Sequence, residues 1–112
     1  MLEKWYSQGT LTNPAAGTIL ADTGPLQTSG VYRVTCVATS SVAATVSVEH
    51  RDSGNANTLE AIGISVPVGG TVSFDVPVRI SSGERIRAVL SSAITGTITV
   101  TLCISRVHSW IL

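Results

Sequence analysis

From Thr97 to Val107 apolar and polar residues alternate almost one for one. Ile98, Val100, Leu102 and Ile104 share one parity, and Thr97, Thr99, Thr101 and Cys103 the other. A period of two marks a strand with one face in a core, because successive side chains of a pleated backbone point to opposite sides. The pattern recurs over Thr71–Ile80, where Val72, Phe74, Val76 and Val78 oppose Thr71, Ser73, Asp75 and Arg79. No segment sustains a 3.6-residue period, and turn residues return roughly every ten positions, the spacing of a sandwich or barrel. The abundance of Val, Ile and Thr agrees, since β-branched side chains fit a half-buried pleated surface.

Seven strands follow from these signals, at about Thr18–Asp22, Gly30–Thr39, Ala43–Arg51, Thr58–Val66, Thr71–Ile80, Arg85–Leu90 and Thr97–Val107. The predicted inward sets are Tyr32, Val34, Cys36 and Ala38; Ala44, Val46, Val48 and His50; and Ile86, Ala88 and Leu90. Pro77 cannot donate to a ladder, so its strand belongs at a sheet edge or carries a bulge. An immunoglobulin-type sandwich also suits seven strands, but no Cys–Trp–Cys arrangement favours it. The expected fold is therefore all-β, one antiparallel β-sandwich of jelly-roll type with seven or eight strands, formed by residues 17–107. Residues 1–16 lack clear alternation and read as an N-terminal arm, and residues 108–112 as a short apolar tail. Arm or tail is the available source of an eighth strand.

The length of 112 residues allows one domain with one core. Only 12% of residues are charged, against about 25% in ordinary globular domains. So low a value suggests a surface partly covered by other protein, the alternative being a monomer coated in Ser and Thr. Seven basic and seven acidic residues cancel, which argues against nucleic acid and anionic membranes as partners. No secretory leader or bilayer-length apolar run appears, so the expected place of synthesis is a cytosol.

Chemistry-bearing constellations are weak. His50 closes a strand in Val48-Glu49-His50-Arg51-Asp52, but no nucleophile elbow accompanies it. A half-buried histidine held by hydrogen bonds is the favoured reading over a triad. Cys36 and Cys103 fall on opposite faces and read as free thiols, Cys36 in the core, with no ligand spacing for a metal. Asp52–Asn57 lacks the acidic density of a calcium loop and reads as a turn. Val68-Gly69-Gly70-Thr71 lacks the helix and lysine of a phosphate loop. No catalytic, cofactor-binding or metal-binding residue is assigned.

Other residues point to contact surfaces. Six of the seven basic residues are arginine, whose planar fork suits interfaces. Glu49, Arg51 and Asp52 are candidates to pair with Glu84, Arg85 and Arg87, either within the chain or across an interface. The aromatic pair Trp5 and Tyr6 either anchors a neighbour or folds onto its own core. Trp110, Ile111 and Leu112 would be an aggregation hazard if left bare. The candidate interface residues are thus Trp5, Tyr6, Arg51, Arg85, Arg87, Trp110, Ile111 and Leu112.

The ordered set Gly17-Thr18-Ile19-Leu20-Ala21-Asp22-Thr23-Gly24, Gly30-Val31-Tyr32-Arg33-Val34, Val48-Glu49-His50-Arg51 and Gly83-Glu84-Arg85-Ile86-Arg87 resembles small β-sandwich virion proteins of tailed phages. The resemblance spans about Gly17 to Ser105 and omits the arm and tail. It implies a structural, non-enzymatic component of a bacteriophage particle. The expected role is a capsid decoration or cement protein on the virion surface, assembled in the host cytoplasm, bound to the major capsid protein or another virion protein, and homo-oligomeric with a homotrimer favoured. No cofactor is implied. The alternative is a receptor- or carbohydrate-binding head of a tail or fibre, and a small hydrolase ranks last. On this reading, removing residues 1–16 leaves a folded body that no longer docks.

Overall fold

The computed structural model describes the backbone from Lys4 to Val107, and side chains from Ser7 to Val107 other than Phe74. Eight strands follow one another: β1 (Lys4–Thr12), β2 (Ile19–Asp22), β3 (Gly30–Ser40), β4 (Ala44–Arg51), β5 (Thr58–Val66), β6 (Thr71–Ile80), β7 (Arg85–Leu90) and β8 (Thr97–Val107). They form two four-stranded sheets in the orders β1-β8-β3-β6 and β2-β7-β4-β5. Every described pairing is antiparallel. Only β4 and β5 are consecutive neighbours within a sheet; the other connections cross between sheets. That is the double Greek key of a jelly roll.

The alternation read from sequence sorts the residues as expected. Tyr32, Val34, Cys36 and Ala38 of β3 meet Ile98, Val100, Leu102 and Ile104 of β8 in the core, opposite Val46, Ile86, Ala88 and Leu90 of the second sheet. Both thiols are free, with Cys36 buried and Cys103 half-buried. Pro77 lies on β6, an edge strand. Tyr32 is fully buried, and its hydroxyl donates to the Thr28 carbonyl at 2.5 Å, satisfying the one polar atom of a large core side chain.

The arm is where the structure departs from the sequence reading. Residues 4–12 are strand β1 of the sandwich, paired with β8 from Lys4↔Ser105 to Thr12↔Thr97. Its register sets Ser7, Gly9 and Leu11 opposite the inward residues Leu102, Val100 and Ile98. Two of these three are small because β2 passes close by. A Cβ on Gly9 would lie 2.0 Å from the Leu20 carbonyl oxygen, and the Ser7 hydroxyl accepts from the Asp22 N–H at 3.3 Å. Close approach of a second backbone therefore removed the apolar alternation that marks the other strands. Thr10 and Thr99 hydroxyls hydrogen-bond at 3.0 Å on the outer face, and Gln8 donates to Thr101 at 2.9 Å. Of the expected tail, residues 108–112 lie outside the described residues.

Two buried side chains come from segments that carry no periodicity. Leu26, between β2 and β3, is wholly buried, and its N–H donates to the Glu84 carbonyl at 2.8 Å. Pro14 is buried between β1 and β2.

Candidate functional site

The outer face of the β2-β7-β4-β5 sheet carries the charged cluster. Arg87 of β7 sits opposite Asp22 of β2 and Glu49 of β4, so the ladder register itself brings opposite charges together. Arg87 donates through Nε to Glu49 at 2.7 Å, and Arg85 through Nη1 to Asp22 at 3.3 Å. The expected pairing of Glu49 with Arg87 is present, and Asp22 is the partner that sequence reading missed. Its signal would have been the register of β2 on β7, which a bulge between Ile19 and Ala21 obscures.

Among the described residues, Arg51 and Asp52 take no part in an interstrand ion pair. Arg51 clamps its own turn, donating through Nε to the Asn55 side chain at 3.0 Å, through Nη2 to the Asn55 carbonyl at 2.7 Å and through Nη1 to Thr58 at 2.7 Å. Asp52 accepts from the Ala56 N–H at 2.8 Å and the Asn57 amide at 2.9 Å. Those bonds, the Ala56 one foremost, hold its carboxyl below the usual carboxylate range. The oxygens of this loop are committed to closing a turn, as expected. Trp5 and Tyr6 lie in β1, paired with Ile104 and Cys103, and Trp110, Ile111 and Leu112 lie outside the described residues.

His50 is 8% exposed and points into the sandwich at the end of β4. Its Nε2 lies 2.8 Å from Glu84 Oε1, which also accepts the Ser81 N–H at 2.8 Å. The Glu84 carboxylate thereby ties the β6–β7 turn to β4. The other ring nitrogen, Nδ1, is buried with no partner, so no serine hydroxyl among the described residues completes a triad. Beside His50, a cleft of about 40 Å³ opens between β5 and β6, lined by Val34, Glu60, Ile62, Val76, Val78 and Ile86 among others. It has room for a water or two.

At the opposite end of the sheet, Ala43, Thr45, Ser65, Pro67, Ser92 and Ile94 line a shallow depression of about 630 Å³. It contains hydroxyls and aliphatic groups, with no charged and no aromatic side chain. Among the described residues no three His, Cys, Asp or Glu side chains gather.

The outer face of the β1-β8-β3-β6 sheet is hydroxyl-rich. Thr10, Thr99, Thr101, Thr35, Thr39, Thr71 and Ser73 occupy outward positions along the registers. Its one described ion pair joins Arg33 to Asp75 at 2.6 Å. The hydrogen bond from Arg33 lowers the Asp75 carboxyl below its ordinary range.

No protein-family model matches the chain, and no curated protein does either. Solved structures resemble it in fold. A CBM4 chain superposes with a TM-score of 0.60 at 14% identity, covering 85% of this chain and 66% of its own. The globular domain of zebrafish complement 1qA protein gives 0.60 at 9% identity, covering 89% and 94%. The PRD1 vertex protein P5 gives 0.53 at 7% identity, covering 93% and 97%. These likenesses show a shared β-sandwich.

Proposed function

We propose that this chain is a non-enzymatic structural component of a tailed-phage particle, a decoration or cement domain. It docks on the shell of the major capsid protein at the virion surface and is assembled in the host cytoplasm. The observation that carries the reading is a two-sheet sandwich whose β1-β8-β3-β6 sheet presents a broad outer face lined with threonine and serine. That face is rich in hydroxyls, and its described charges are Arg33, Asp75 and Arg79, the first two paired with each other. Such a face suits extended contact with another protein, where polar groups find hydrogen bonds and few charges need to be desolvated. It offers little electrostatic attraction to nucleic acid or lipid. The carbohydrate-binding alternative needs an aromatic platform beside polar ligands. The chain has five Phe, Trp and Tyr residues, and one of them, Tyr32, is fully buried in the core.

The test is co-sedimentation of the purified protein with empty shells, followed by the heat resistance of the decorated shells. Saturable binding at a fixed ratio to capsid subunits, with raised shell stability, is the expected result. No binding to shells, together with capture by a defined glycan, would transfer the reading to a receptor-binding head.

A further inference from the structure

A two-sheet sandwich of open sheets has four edges, and an unprotected edge is a template for another strand. Here the edges are β1 and β6 of one sheet and β2 and β5 of the other. Two are blunted by their own residues, and β1 is held against the second sheet, its inner face in contact with β2 at Gly9 and Leu20. The β2 strand is four residues long and bulged. The β6 strand carries Pro77 and the charges Asp75 and Arg79.

The β5 strand has none of these devices along its outer half. It is nine residues long, has no proline, and bears one charge, Glu60. Its bulge against β4 lies at its first turn, near Thr58, and leaves Ala61 to Val66 in straight register. Exposed large apolar side chains among the described residues are Ile19, Leu59, Ile62 and Val68. Three of those four lie on β5 or in the loop that follows it. Ile62, 42% exposed, shares the mouth of the cleft with Val76 and Val78.

We infer that β5 is a self-association edge, pairing antiparallel with β5 of a second copy about a two-fold axis near Ile62. Three observations favour a second copy as the occupant. The sequence is compatible with itself in this arrangement: Ala61 faces the second copy's Gly63, Leu59 its Ser65, and Glu60 its Ile64, so no like charges meet. The outward residues Ala61, Gly63 and Ser65 are small, which lets two outer faces continue as one flat surface. The size is also adequate. A seam about 30 Å long, as wide as the molecule's 18 Å thin dimension, covers about 500 Å² per partner, near the lower bound for specific complexes. The same contact shields Ile62 and the cleft mouth of both copies. A two-fold contact of this kind is isologous and closes at two copies, in place of the three-fold association that the family resemblance implies. It needs no capsid, so it stands or falls separately from the docking reading above.

Sedimentation velocity of the full chain from about 1 µM to 1 mM reads the outcome directly. A reversible dimer is expected, with amide exchange across Leu59–Ser65 slowed at high concentration. Ala61→Lys and Ile62→Lys, which place charge on the two faces of the seam, should each weaken association at least tenfold. Gln8→Lys, on the far edge, should leave it unchanged. Ala61 is exposed, so Ala61→Lys keeps the test intact even if Ile62→Lys fails to fold. A monomer at 1 mM, a trimer, or a dimer indifferent to the β5 lysines would overturn the inference.

Discussion

Replacing Glu84 tests whether His50 is a structural residue held in place or a spare chemical group. In the structure one carboxylate oxygen accepts from both His50 Nε2 and the Ser81 N–H, each at 2.8 Å. His50 is 8% and Glu84 17% exposed, so water reaches the pair poorly. Glu84→Ala removes both bonds and leaves a buried imidazole with neither nitrogen partnered, since Nδ1 already has none. A hydrogen bond to a charged group contributes about 1.5–3 kcal/mol, and an orphaned buried donor costs about 1–3 kcal/mol. Some water can enter through the cleft beside His50, so the two figures do not add fully. The expected loss is about 2–4 kcal/mol, which for a domain of this size lowers Tm by roughly 8–16 °C. Glu84→Gln retains an acceptor oxygen and should cost under about 1 kcal/mol. Urea and thermal unfolding followed by circular dichroism measure both. In a double-mutant cycle with His50→Ala, the Glu84→Ala cost should shrink by about 1–3 kcal/mol, because the orphan disappears. A Glu84→Ala variant that loses less than about 1 kcal/mol, or a cycle with no coupling, would falsify the assignment of His50 as a carboxylate-anchored core residue.

Gly9→Ala should destabilise the fold by about 2 kcal/mol or more, because the new methyl meets the backbone of β2 rather than a movable side chain. Deleting residues 1–16 should be more damaging still, since it strips β1 from β8. Equilibrium unfolding checks both, and a Gly9→Ala variant as stable as the parent would show that β2 yields easily. Burial pushes the Cys36 thiol up to about 11. The unfolded chain loses that proton near the ordinary thiol value while the folded chain keeps it. This contribution is therefore fully present below the unfolded value and is lost as pH rises toward 11. Unfolding midpoints across pH 8 to 11 should fall accordingly. A thiol reagent at pH 8 should label the half-buried Cys103 well before Cys36, and equal labelling rates would contradict the packing described.

Much of this protein is legible in its sequence, and the reason is local. From β3 onward the strands alternate with period two, each bounded by Gly, Pro, Asn, Asp or Ser. Strand positions, the core face of β3, β4, β7 and β8, the edge placement of Pro77 and the opposite settings of Cys36 and Cys103 all follow from that parity. The low charge likewise comes from composition alone. The tertiary structure decided the rest, because those features depend on which strands are neighbours. β1 is invisible to parity, since its core-facing register places a serine and a glycine where β2 comes within contact. Asp22 joins Arg85, and His50 joins Glu84, through pairings 63 and 34 residues apart. The bareness of β5 is also a property of topology: its sequence reads as an ordinary strand, and only its place at the end of a sheet leaves one side without a partner.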